Sequence, residues 1–134
     1  MFLNYLSQKE KEIFWNIANM VVRVDGELAQ EEMDMLEEYK REMQSDFCFD
    51  ETKVDKLAIL DELKDSSMQV KKIIYLELYG LVYADKKYTI EERTFMSKIQ
   101  ENFDIADTDI KALEDCVIEI MGIYRRLGEI IGAV

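Results

Sequence analysis

Apolar positions recur along this chain at spacings of three and four, and that period predicts helices almost throughout. Ile13, Phe14, Ile17, Met20, Val21 and Val24 form one stripe, with Trp15 beside it. Ser7 and Glu10 open it in the S-x-x-E order of a capping box, so a first helix is expected from about Gln8 to Val24, stopped by Gly26. A second helix starts near Gln30, with Glu31, Glu32 and Asp34 in the first turn, where carboxylates complement the helix dipole. Its buried stripe is Met35, Leu36, Tyr39 and Met43, and Phe47-Cys48-Phe49 forms an apolar loop beyond Ser45-Asp46. Asp50 is the expected cap of a third helix, roughly Glu51 to Leu63, with Val54, Leu57, Leu60 and Leu63 inward. Ser66 with Gln69 opens a fourth, about Met68 to Ala84, which is apolar around much of its girth and therefore expected at the centre. Thr89 with Glu92 is a full capping box for a fifth, carrying Phe95, Met96, Ile99 and Phe103. Asp107 or Thr108 starts the last, with Ile110, Leu113, Val117, Ile120, Met121, Tyr124 and Leu127. No run alternates with period two for six residues. The expectation is one all-α domain over residues 1–134, of about six helices joined by short connections.

The pattern also repeats at an offset of 60. Met35, Leu36, Tyr39 and Met43 fall on Phe95, Met96, Ile99 and Phe103, Ile13 on Ile73, and Asp25, Glu31 and Glu32 on the identical residues Asp85, Glu91 and Glu92. With a four-residue deletion, Val54 and Leu57 fall on Ile110 and Leu113. Two pseudo-repeated three-helix units packed about a pseudo-twofold are the simplest picture.

Composition narrows the chemistry. Of the 134 residues, 49% are apolar and 34% charged, which fits a folded chain. The net charge is −12, and residues 27 to 62 hold −9 of it, from thirteen Asp/Glu against four Lys/Arg. Phosphates would be repelled, so nucleic acid is not an expected partner; the patch would suit a divalent cation or a basic protein, or serve simply as a solvated acidic surface that confers solubility. No His is present, which removes the usual triads and His-containing zinc sites. Cys48 and Cys116 form no C-x-x-C pair and read as small core hydrophobes. The first residues lack a basic stretch followed by a long apolar run, and the apolar run from Val117 to Val134 is interrupted by Glu119, Arg125, Arg126 and Glu129. No signal peptide and no integral membrane segment are expected, and the cytoplasm is the expected location.

The candidate chemistry sits at the repeated junction. Asp25 and Asp85 can close their turns by accepting backbone N–H bonds, and Glu32 and Glu92 can reach back to a cap residue, which explains these groups without a ligand. The same groups also suit a hard cation, calcium or magnesium, held by Asp25, Glu31 and Glu32. Asp85, Glu91 and Glu92 form a weaker second set, because Lys86 and Lys87 stand where the first copy has Gly26 and Glu27. An EF-hand is excluded: with Glu32 at its twelfth position, the first and third would be Val21 and Arg23.

The order "apolar helix, Val/Ala-Asp-Gly, x-Leu, two residues, Glu-Glu, Leu/Met stripe", carried by residues 13 to 43 and 73 to 103, resembles the TerB family of tellurite-resistance TerB-like domains. The resemblance implies a small all-helical cytoplasmic domain with two such helix pairs and acidic residues at their junctions. It implies a non-enzymatic role in tellurite or chemical stress, or in phage defence, exercised by binding. The acidic positions of the family map onto Asp25, Glu31 and Glu32, and onto Asp85, Glu91 and Glu92. The chain departs from the pattern in lacking the second Gly and in placing Ala29 where a cap residue is usual.

Three functions therefore compete. The first is a binding or scaffold domain acting with a protein partner, with or without a divalent cation. The second is an interaction module docking through an amphipathic C-terminal helix, against the simpler expectation that this helix completes the core. The third is an enzyme using paired carboxylates or a Cys nucleophile; no Gly-rich phosphate loop, His or base beside either Cys supports it, and no enzyme is expected.

Overall fold

The computed structural model describes every residue except Lys86 and Val134. The described residues form five α-helices and no strand: α1 (Gln8–Val21), α2 (Gln30–Met43), α3 (Met68–Tyr83), α4 (Ile90–Phe103) and α5 (Asp107–Ile131). Three 3-10 turns, Leu3–Tyr5, Glu51–Lys53 and Ile59–Leu63, complete the order. α3 packs against the other four α-helices, the central place its all-round apolar surface predicts. Its own Ile74, Leu78 and Leu81 are fully buried, as are Phe14, Ile17, Leu63, Met96 and Ile99 from the surrounding elements.

The helix starts follow their cap chemistry. Ser7 Oγ accepts from the Glu10 N–H while Glu10 Oε1 accepts from the Ser7 N–H, and Thr89 with Glu92 forms the same reciprocal box. At α3 the expected cap is displaced by one residue. Ser67 accepts from the Val70 N–H, and the Ser66 hydroxyl instead donates to Glu10 Oε2 at 2.6 Å, tying the two helix starts together. α2 has only half a box: Glu32 Oε1 accepts from the Ala29 N–H, but Ala29 has no hydroxyl to return the bond. Ala29→Ser is expected to supply it and to raise stability by about 1 kcal/mol, read by thermal denaturation.

Two expectations about elements are corrected. α1 ends at Val21, not Val24; turns follow, Gly26 takes the left-handed conformation at φ 81°, and Val24 is exposed. The third helix expected over residues 51 to 63 is two separate 3-10 turns. Asp50 Oδ1 accepts from the Thr52 N–H, and Asp55 Oδ1 from the Leu57 N–H. Such local side-chain bonds compete with helix propagation, and Leu57, expected inward, is 95% exposed. About six helices thus become five, and the first half has no counterpart of the 25-residue α5. The expected pair of three-helix units is therefore not the architecture found. α2 and α4 do have equal length at the offset of 60, share one burial pattern from 31–40 to 91–100, and both end in a left-handed residue, Gln44 and Asp104.

Both cysteines are exposed, not core residues as expected. Cys48 sits in a loop whose aromatic neighbours, Phe47 and Phe49, take the inward positions, and Cys116 lies on α5 at the side of an open groove. The last helix does not complete the core along its length either. Ile110 and Val117 are buried, but beyond Met121 the helix runs past the body, leaving Ile123, Tyr124, Leu127, Ile130 and Ile131 between 51% and 75% exposed. None of the five α-helices is long and apolar enough to cross a membrane.

Candidate functional site

Two features stand out on this scaffold: a buried carboxylate junction between α2 and α4, and an apolar groove beside α5.

At the junction each acidic residue takes a definite place. Asp25 Oδ1 accepts from the Glu27 N–H at 3.0 Å, and Asp85 Oδ1 from the Lys87 N–H at 2.9 Å. Both are the turn-closing bonds the sequence suggests. Glu31 and Glu91 are exposed to solvent. Glu32 and Glu92 are 2% and 1% exposed, and each lies where neighbouring carboxylates act on it through charge. The structure therefore does not assemble Asp25, Glu31 and Glu32 as one set. It pairs Glu32 of α2 with Glu92 of α4, with Asp25 and Asp85 close enough to act on them through charge. Lys86, expected to oppose a cation there, lies outside the described residues. Among the described residues no group of three or more Asp, Glu, Cys or His is placed to hold a metal ion.

The electrostatics follow from burial. Removal from water pushes the Glu32 carboxyl up to about 7, and the Glu92 and Asp85 charges add to this, while the Ala29 N–H opposes it. Glu92 is raised as well, by burial first and then by Asp25 and Asp85, against the Thr89 N–H and hydroxyl bonds. Among the described residues Glu32 Oε2 is buried without a hydrogen-bond partner. A carboxylate oxygen in that position is costly when charged and gains from a proton or a cation.

The groove has a volume of about 1170 Å³ and is mainly apolar, lined by Met35, Leu76, Leu113, Val117, Ile120 and Tyr124 among others. α2 and α3 form one wall and α5 the other; Gly80 of α3 opens it further, since a Cβ there would meet only the tips of Met35 and Tyr39 at 3.9 Å. Glu38, Arg41 and Glu42 stand on the α2 rim. Sequence reasoning placed the α5 stripe in the core. The missed signal is its length: the stripe outruns the 16-residue α3 on which it packs.

A smaller cleft is lined by Tyr79, Tyr83, Tyr88 and Glu114. Its Glu114 and Arg93 are already engaged. Tyr75 donates to Glu114 at 2.8 Å, and the Arg93 guanidinium stacks 4.5 Å over the Tyr88 ring. Burial, with the Glu114 charge, pushes the Tyr79 and Tyr88 hydroxyls up to about 12, so neither is a base near neutrality.

No protein-family model matches this chain, and no curated protein or solved structure matches it.

Proposed function

We propose that this chain is a non-enzymatic binding domain, built from two TerB-like helix pairs related by duplication, that accepts an apolar helix in the groove between α5 and the α2–α3 face. The observation that carries this is the groove itself, continuous with an α5 end whose large apolar side chains have no cover. A contiguous apolar surface of that kind on a folded domain marks a contact site. An apolar groove between helices takes an amphipathic helix through side chains at three- and four-residue spacing. The equal lengths, left-handed ends and shared burial of α2 and α4 support the duplication; the TerB-like reading, with a role in chemical stress or phage defence, rests on the sequence resemblance alone.

The test uses the whole chain carrying Leu127→Asp, which makes the overhanging end polar and leaves the groove walls intact. A fluorescent synthetic helix, apolar on one half and basic on the other, is titrated in. Binding at micromolar concentration that Leu76→Glu abolishes is the expected result. No binding to the open groove would sink the reading.

A second reading keeps a cation at the junction, calcium or magnesium, because Glu32 Oε2 is buried with no hydrogen-bond partner among the described residues. It would rest on Glu32 and Glu92, with Asp25 or Asp85 nearby, not on Glu31 or Glu91. Millimolar calcium or magnesium should then raise the melting temperature at pH 8, and Glu32→Gln should remove the rise. If the cations have no effect, the junction is a buried carboxylate pair that binds no cation.

A further inference from the structure

We propose that the groove's occupant is the α5 end of a second copy of this chain, in a two-fold pair whose α5 helices run antiparallel. The inference rests on the groove reading above and names its ligand.

The face of α5 that lines the groove carries Leu113, Val117, Ile120 and Tyr124, at spacings of four, three and four. The same stripe continues past the body as Leu127 and Ile131, with Ile123 and Ile130 along its edge. At 100° per residue these side chains occupy about half the helix circumference, and Glu119, Arg125, Arg126 and Glu129 fall on the other half. A helix end of this kind does not sustain itself. It contains Gly122 and Gly128, the weakest helix formers after proline, and its apolar half faces water.

The chain cannot cover this end with its own groove, because α5 is one unbroken helix to Ile131 and cannot fold back. A second copy can. Both the uncovered helix end and the open groove belong to one surface, and a two-fold axis that brings the end of each copy into the groove of the other closes both. The pairing must be antiparallel, since parallel helices would set end against end and leave both grooves open.

Charge supports the same occupant. Residues 117 to 131 hold two Glu and two Arg and so carry no net charge, while the chain as a whole carries −12. The end is therefore the part of an acidic molecule that approaches another copy without repulsion. The receiving rim is balanced as well: Arg41 pairs with Glu38 and the Met1 ammonium with Glu42, so the rim does not repel the net-neutral α5 end.

The experiment is sedimentation equilibrium of the whole chain from micromolar to near-millimolar concentration, with circular dichroism on every variant. The native chain is expected at twice the single-chain mass. Leu127→Asp, which touches no core residue, is expected to weaken the pair at least about 100-fold by burying an unpaired charge, with an unchanged melting curve at low concentration. Gly80→Leu, which fills the receiving groove from the α3 side, is expected to weaken it without altering the α5 end. A native chain that stays single at near-millimolar concentration overturns the proposal, as does a pair that survives both variants. If the native chain is single but the Leu127→Asp protein still binds the synthetic helix, the groove reading stands and a foreign helix is its ligand. If neither association occurs, both readings fall.

Discussion

Replacing Glu32 by Gln is expected to stabilise the protein by up to about 3 kcal/mol at pH 8, and to remove most of the dependence of stability on pH between about 5 and 8. Glu32 is an acid whose carboxyl is raised from 4.5 to about 7 on folding, above all by burial. The folded state therefore holds the proton more tightly than the unfolded chain does. The contribution of this group is most favourable below about 4.5, declines as pH rises from there to about 7, and is lowest above that. The Glu92 carboxyl, raised in the same direction, deepens the decline. The amide introduced by Glu32→Gln would keep the acceptor that the Ala29 N–H uses and would offer a donor to Glu92, in place of a buried charge with one bare oxygen. Chemical denaturation of the native and Glu32→Gln proteins at pH 5.5 and pH 8 checks this. Native stability that is flat or rising over that range would show that folding does not raise the Glu32 and Glu92 carboxyls.

Phe14→Ala is expected to cost about 3–5 kcal/mol and to leave the domain marginal at 25 °C. Phe14 is fully buried on α1, where its ring meets Tyr39 edge-on at 5.4 Å. Tyr39 in turn donates to the Glu77 carbonyl at 2.6 Å, which fixes α2 on α3. Removing the Phe14 ring thus opens a cavity and frees a buried tyrosine whose hydroxyl holds a second contact between helices. Urea denaturation measures the loss, and an effect under about 1 kcal/mol would mean that the α1–α2 packing is not the keystone assigned to it.

How much of the molecule was legible in the sequence depended on the range of the interaction. The Ser7–Glu10 and Thr89–Glu92 boxes, the buried stripes of α2 and α4 and the central place of α3 involve residues three or four apart or the girth of one helix, and the pattern carries them. The segment from 51 to 63 has a helical stripe, but Asp50 and Asp55 bond to their own backbone, and competition on that scale is invisible to periodicity. The turn-closing roles of Asp25 and Asp85 were readable because they are local. The pairing of Glu32 with Glu92 was not, since it depends on how two helices sixty residues apart are laid together. Nor was the exposure of the α5 end: a stripe shows that a face seeks cover without showing whether the same chain supplies it. Cys116 falls under the same heading, apolar in its neighbours and exposed on a helix that leaves the body.

Whether the α5 end is covered in solution is the central question. Amide hydrogen exchange across residues 122–131 of the whole chain, followed as a function of protein concentration, reads this residue by residue. The prediction is strong protection at high concentration that falls as the chain is diluted, while α3 stays protected throughout. Exchange at the rate of an open helix at every concentration would contradict it.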